Sequence, residues 1–271
     1  MVSEEQQKII DRFMNRVYGK KPDTSESHQD HEGREGHWLE KQMEVAHNAD
    51  NAPDLLGYEM KNNTQSKTSF GDWNASYYIF RDEGYFPNLK GITGRRKNQL
   101  WRENKAVFLR TFGRAIEGVF SWSGTPCPKR VTDGFNDFGQ EMTVSNDNSI
   151  VIKYSYSRDN RQNKHEIVPE MFQKENLKIV EWDSEMIKLK VERKFNRKGW
   201  FKCLQDSNGI YNSILFGGPF DIIKFLDVVK NGDVIFDSGM KDVRADGTDR
   251  YRSMWRASNS FWDSWVESRH P

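Results

Sequence analysis

At 271 residues with a formal net charge of +1, the chain is long enough for one large domain or a domain with a second lobe, and it can bury a core without disulfide or metal staples. Its charged fraction is high, at 30%, but 17 Phe, 9 Trp and 9 Tyr exclude a disordered chain, which is poor in aromatics. Cys127 and Cys203 have neither CxxC nor zinc-ligand spacing, and no apolar run reaches bilayer length; with no basic leader in front of an apolar segment, the expectation is a reducing, cytoplasmic setting and no membrane partner.

In chain order, residues 3–18 predict an amphipathic helix. Ser3 and Gln6 form a capping box, and Ile9, Ile10, Phe13, Met14 and Val17 recur at helical spacing. The polar run "KKPDTSESHQDHEGREG" reads as a loop, in which His28 and His31 are taken as solvated. A second helix is expected over about 35–45 with Trp38, Leu39 and Met43 turned inward and His37 and His47 flanking it, followed by strands at 55–61 and 77–80. "NQLWRENKAVFLRTF" gives an imperfect helical face, and 115–148 is turn-rich and resists assignment. Alternation predicts strands at 150–156 and at 186–192, the latter from Ile187, Leu189 and Val191 between Lys188, Lys190 and Glu192. "GGPFDIIKFLDVVKNG" is punctuated as a helix, by Pro at its start and Asn-Gly at its end, and "DVIFDSG" reads as the strand behind it. The tail 251–266 is crowded with Tyr251, Trp255, Phe261, Trp262 and Trp265, read mainly as core. The class is mixed α/β (α+β), a mixed sheet flanked by helices.

The near-neutral total hides a division. Residues 1–60 carry 13 acids against 7 Lys and Arg, whereas 90–114 carry Lys90, Arg95, Arg96, Lys97, Arg102, Lys105, Arg110 and Arg114 against Glu103 alone. A run of this kind is either a solvated face or a surface that tracks phosphates, because neutralising phosphates releases counterions.

The chemistry concentrates in "PDLLGYEMK", residues 53–61. Side chains alternate across a strand, so Glu59 and Lys61 share a face while Asp54 has the opposite parity. Gly57 lies between them, where a kink, turn or bulge restores convergence. Two carboxylates offer hard oxygen ligands to Mg²⁺, which keeps several waters and is also held by substrate phosphate. A neighbouring lysine then positions the attacking water or helps deprotonate it and offsets charge on the phosphate. The bland reading is a surface ion pair between Glu59 and Lys61 with Asp54 capping a turn.

Just upstream, "GREGHWLEKQM" places Gly33 and Gly36 ahead of Leu39 and Glu40 on the expected second helix. A helix with an inward acid, then a strand with Asp and Glu-x-Lys, resembles the PD-(D/E)XK nuclease core. More closely it resembles the MvaI/BcnI-type restriction endonucleases and the MutH nicking enzymes related to them. Gly33, Gly36, Leu39, Glu40, Asp54, Gly57, Glu59 and Lys61 match that pattern position by position over 33–61. A fainter echo lies in 231–239 and 243–252, where Asp237, Gly247, Thr248 and an arginine of Arg250 and Arg252 correspond to the family's base-reading strand and loop. The family's loop histidines are absent, and Asp246 or Asp249 stands in such places, a departure that bears on the sequence recognised more than on the chemistry.

The resemblance implies that Asp54 and Glu59 hold Mg²⁺, that Lys61 assists the water and that Glu40 supports the site from its helix. It implies a type II site-specific deoxyribonuclease that cleaves duplex DNA at a short G·C-rich target of the CC-N-GG kind, leaves 5′-phosphate ends, acts as a monomer that cuts the two strands in turn, and has a cognate DNA methyltransferase as genetic partner. A catalytic lobe over 1–120 and a recognition lobe over 121–271, some of whose elements return to the core, are expected. Arg95, Arg96 and Lys97 are assigned to phosphates and Asp237, Arg250 and Arg252 to bases. Arginine bonding guanine and aspartate accepting from cytosine N4 suit such a target. A MutH-like nickase, and a DNA-binding module without catalysis, are the alternatives.

Overall fold

The structure, a computed structural model, describes residues 2–25, 34–45, 51–62, 67–195, 197–242 and 251–271. The first helix, α1 (Glu4–Arg16), begins as its capping box dictates: Ser3 Oγ accepts from the Gln6 amide at 3.2 Å and Gln6 Oε1 from the Ser3 amide at 3.0 Å. Its Ile9, Ile10 and Phe13 are buried. Helix α2 (Arg34–Gln42) buries Leu39, and Glu44 just beyond it takes ion pairs from Arg12 and Arg16 of α1 at 3.1 and 2.6 Å. Strands β1 (Glu59–Lys61), β2 (Lys67–Asp72) and β3 (Tyr77–Tyr78) follow.

The basic segment forms α3 (Gly94–Phe112), and the turn-rich stretch after it contains β4 (Arg114–Ile116), β5 (Val119–Trp122) and β6 (Phe138–Val144). Next come β7 (Ile150–Asp159), the short α4 (Lys164–Ile167) and β8 (Leu177–Trp182). The strand expected at 186–192 is a helix instead, α5 (Ser184–Phe195). Ile187, Val191 and Phe195, four residues apart, are fully buried while Leu189 is 64% exposed, so the period is helical. The Asp183 carboxylate caps the start by accepting from the Met186 amide at 2.8 Å. The chain continues through β9 (Trp200–Gln205), β10 (Tyr211–Gly217), α6 (Ile222–Lys230), β11 (Val234–Ser238), β12 (Met240–Lys241), β13 (Ser253–Ser258), α7 (Asn259–Ser264) and β14 (Val266–His270).

Two compact units are interleaved along the chain: residues 1–68, 189–225 and 257–271 form one, and 69–188 with 226–256 the other. The first is built on the mixed sheet β1-β9-β10-β14, in which β1 runs parallel to β9 and the other pairs are antiparallel. Met60 pairs with Phe201, and Phe201 with Phe216, so these residues share a face. That face packs with Ile9, Ile10, Phe13, Val17, Leu39 and Met43 of the two N-terminal helices. Glu59, Lys61, Trp200 and Lys202 therefore occupy the opposite face.

The second unit contains the antiparallel order β3-β8-β7-β6 and the three-stranded β12-β5-β4. Its core is aromatic: Trp182 meets Phe236 at 4.7 Å and Trp255 at 5.2 Å, and Phe108 meets Trp122 at 5.2 Å between ring centres. The abundance of aromatic residues is thus largely a property of the interior. Of the tail tryptophans, Trp255 and Trp262 are fully buried and Trp265 is half-buried.

Candidate active site

Residues 54–61 do not run as one strand. Leu55 and Tyr58 exchange both backbone hydrogen bonds, at 3.0 and 2.8 Å, across a two-residue turn in which Leu56 has φ +50° and Gly57 φ +88°. Positive φ at both central positions is the signature of the type I′ hairpin turn, which reverses the chain most tightly. Gly57 meets that demand without strain, whereas Leu56 adopts a conformation that leucine disfavours. The reversal removes the parity problem: Asp54 returns alongside β1, and its Oδ2 accepts from the Met60 amide at 2.8 Å.

On β1 the expected pair is buried, Glu59 and Lys61 each being 3% exposed. Lys61 Nζ lies 2.9 Å from Glu59 Oε1, and the same oxygen receives Lys194 Nζ from the end of α5 at 3.0 Å. Beneath Lys61 lie the rings of Phe195, 4.8 Å from Nζ, and Trp262 of α7, at 5.3 Å. Both cations meet one oxygen of Glu59; the other, Oε2, is buried without a hydrogen-bond partner among the described residues. A buried carboxylate oxygen with no donor is costly unless something absent from the chain completes it.

The electrostatics agree. Burial, and next the Glu59 charge, push the Asp54 carboxyl up to about 6, against the Met60 amide and the two lysines. Burial lowers the Lys61 ammonium from its ordinary value, and Lys194 adds to that, while Glu59 opposes it. Among the described residues no cluster of three or more His, Cys, Asp or Glu side chains exists. The donor set is therefore two carboxylates, one with a vacant buried oxygen and the other short of compensating charge. That composition fits Mg²⁺, which takes few protein ligands and fills its remaining positions with water and phosphate oxygen.

Glu40, the fourth expected residue, belongs to the next layer: its Oε1 accepts from Asn62 Nδ2 at 3.3 Å, and Asn62 directly follows Lys61. A Cβ at Gly36 would stand 3.0 Å from the same Asn62 nitrogen, a tight contact that the glycine avoids. Gly33 and His47 lie outside the described residues. The strand expected at 186–192 gives Lys194 no role; the helical period of Ile187, Val191 and Phe195 is the signal that sets Lys194 beside a buried stripe. Lys202, opposite Lys61 in the register and 1% exposed, pairs with Asp263 of α7 at 3.1 Å and was also missed.

In the second unit, Arg95 at the start of α3 is exposed without an ion pair among the described residues, while Arg96 lies 3.9 Å from Glu103 and Lys97 3.5 Å from Glu83. Lys105 of the same helix is buried. Asp237 of β11 pairs with Arg256 of β13 at 2.8 Å, a partner the sequence did not single out. Arg252 is exposed beside β13; Arg250, Gly247, Thr248, Asp246 and Asp249 lie outside the described residues.

The family model of the LlaMI restriction endonuclease matches residues 17–269. The type II restriction enzyme ScrFI of Lactococcus lactis subsp. cremoris is 41% identical over 278 residues, spanning 97% of this chain and 98% of that protein. Among solved structures, the complex of the restriction endonuclease MvaI with its cognate DNA substrate matches with a TM-score of 0.61 and 13% identity, covering 100% of this chain and 99% of that one. The last likeness, at so low an identity, speaks for the fold. No described helix is long and apolar enough to cross a membrane.

Proposed function

The chain belongs to the LlaMI restriction endonuclease family, DNA-cleaving hydrolases of the type II ScrFI and MvaI kind, and we propose that Asp54, Glu59 and Lys61 are the residues with which it cleaves duplex DNA. The observation that carries this reading is the vacant, buried Glu59 Oε2 beside an Asp54 carboxylate turned back toward β1. Asp54 and Glu59 would hold Mg²⁺, which when bound would lower the pKa of water and stabilise charge developing on phosphorus. Burial lowers the Lys61 pKa and so favours its neutral amine, which would accept a hydrogen bond from the attacking water and take up its proton. Lys194, with Lys61, holds Glu59 Oε1, so Oε2 is the oxygen that would be offered to the cation. Glu40 acts through Asn62 as a support for the end of β1. In-line attack on the phosphodiester leaves a 5′-phosphate and a 3′-hydroxyl.

We assign catalysis to the unit that contains these residues and DNA recognition to the other. There Arg95, with Arg96 and Lys97, contacts phosphates, and Asp237 together with Arg250 and Arg252 reads bases of a short G·C-rich, CC-N-GG-like site. Self-cleavage of the host genome makes a cognate methyltransferase the expected genetic companion, and a monomer acting in the cytoplasm on one strand after the other is the simplest working form.

The test is incubation of purified protein with unmethylated plasmid and Mg²⁺, beside Asp54→Ala and Lys61→Ala. Cleavage by the unaltered chain, with both variants folded and slower by about a thousandfold or more, is the expected outcome, and sequencing the ends gives the site and end chemistry. Variants that cut within tenfold of the unaltered rate would remove these residues from the reaction. Cutting of one strand only, dependent on added repair proteins, would favour a nickase.

A further inference from the structure

The 3-10 turn Ile79–Arg81, which follows β3, ends on a cation that lies outside both the motif and the basic run. The Arg81 guanidinium lies over three rings at once, 4.8 Å from the centre of Trp101, 5.3 Å from Tyr78 and 5.6 Å from Phe80. Stacking satisfies the faces of a guanidinium and leaves its N–H edge, with five donors, for something else. No hydrogen bond or ion pair ties that edge to an acid among the described residues, although Arg81 remains exposed.

The two acids that follow it in the chain are engaged elsewhere. Asp82 accepts from the Tyr77 hydroxyl at 2.9 Å and from the Gly84 amide at 2.7 Å, and Glu83 pairs with Lys97. Lys97 itself sits 5.8 Å from the Trp101 ring, so one indole carries two cations. Tyr78 is fixed below by its hydroxyl, which accepts from the Ala75 amide at 2.9 Å and meets Ser253 Oγ at 3.3 Å. The arrangement is a cation held by aromatic packing, with no carboxylate bonded to its edge among the described residues.

We propose that Arg81, stacked on Trp101, is a phosphate clamp for the DNA backbone. The inference rests on the duplex-DNA reading above and refines it by ranking the basic residues. Arg96 and Lys97 already have carboxylate partners, so exchanging these for phosphate yields little, whereas Arg81 and Arg95 gain a partner outright. Arg81 differs from Arg95 in being already ordered, so it loses less side-chain freedom on binding. Phosphate is favoured over a base edge because the surrounding charge, Lys97 and the arginines at the start of α3, is of the kind that draws any stretch of backbone irrespective of sequence.

The experiment measures binding of the full-length protein, its Arg81→Ala and its Arg81→Lys to two labelled duplexes, one with a CC-N-GG site and one of A·T pairs only. EDTA removes divalent cations and prevents cleavage, and each affinity is followed across salt concentration. Arg81→Ala is expected to weaken both duplexes by a similar factor of about ten and to reduce the salt slope by about one, and Arg81→Lys to restore the slope with affinity about threefold below the original. Equal affinity and slope for Arg81→Ala and the unaltered chain would overturn the proposal, as would a loss confined to the CC-N-GG duplex, which would make Arg81 a base reader. An Arg81→Ala loss accompanied by a lowered melting temperature that Arg81→Lys shares would make the stack structural and overturn it equally. Failure of the unaltered protein to bind either duplex would instead strike the DNA reading itself, so the two failures are distinguishable.

Discussion

Each unit buries a carboxylate, and the two are treated in opposite ways. In the second unit Asp159 is saturated: Oδ2 accepts from the Tyr154 hydroxyl at 2.9 Å and Arg161 NH2 at 2.6 Å, and Oδ1 from the Arg161 amide and Nε at 3.1 and 2.9 Å. Burial would raise its pKa, but the Arg161 bonds prevail and hold it below the ordinary carboxylate value. In the first unit Glu59 has two cations on one oxygen and, among the described residues, no partner on the other, and the Asp54 carboxyl is pushed upward by burial and the Glu59 charge. A carboxylate saturated by its own chain has finished its work on folding. One left short is open to a partner that arrives later, and in the function proposed above that partner is a cation and a phosphate.

The largest effects should follow from the unsaturated cluster. Asp54→Asn keeps the bond from the Met60 amide but lacks the charge, and single-turnover cleavage should fall by about a thousandfold or more with the fold retained; activity near the original would mean that Asp54 serves only the turn. Asp159→Asn is the contrasting experiment. It leaves Arg161 half-buried without its counter-charge, so denaturant unfolding should show a loss of about 3 kcal/mol, while the folded fraction cleaves DNA at the original rate. A catalytic defect there would break the comparison.

The pH response separates the two further. Asp54 has a folded pKa above its unfolded one, so between about pH 4 and 6 the native state binds more protons and stability falls as pH rises, by about 2 kcal/mol across that window in EDTA. Asp159 has the opposite sign: its contribution is present above the unfolded pKa and is lost as pH falls through the folded one. Asp54→Asn should remove the first slope, and Asp159→Asn the second, in unfolding curves taken across pH; a slope unchanged by its own substitution would refute that assignment. The smallest effect concerns the turn. Leu56 is 43% exposed at φ +50°, and Leu56→Asn creates the Asn-Gly pair preferred in type I′ turns, so stability should rise by about 0.5–1 kcal/mol with cleavage unaltered. Destabilisation would show that Leu56 contributes packing that outweighs its backbone strain.

Much of this was legible in the residues. The Ser3 and Gln6 box marks α1, the alternation from Ile150 marks β7, and Asn231-Gly232 marks the end of α6, because each signal is local. The spacing of Asp54, Glu59 and Lys61 points to the proposed site, and Gly57 to the turn that their parity requires. Leu56 as the other left-handed residue carried no signal, since leucine is an improbable occupant of that conformation. Residues 187, 189 and 191 alternate like a strand, and only the distant burial of Phe195 with the exposure of Leu189 decides for a helix. That single ambiguity hid Lys194, whose contact with Glu59 arises from packing across 135 positions of chain and not from spacing. Arg81 was hidden for a like reason, as its stack depends on Trp101 from another element.

The central claim, that Asp54 and Glu59 form an unsaturated site awaiting a divalent cation, is tested most directly by the thermal unfolding midpoint in EDTA and in rising Mg²⁺ for the unaltered chain and Glu59→Gln. The account predicts that Mg²⁺ raises the midpoint of the unaltered protein and leaves that of Glu59→Gln flat, since only the native site binds the ion. A rise of equal size in both would contradict it.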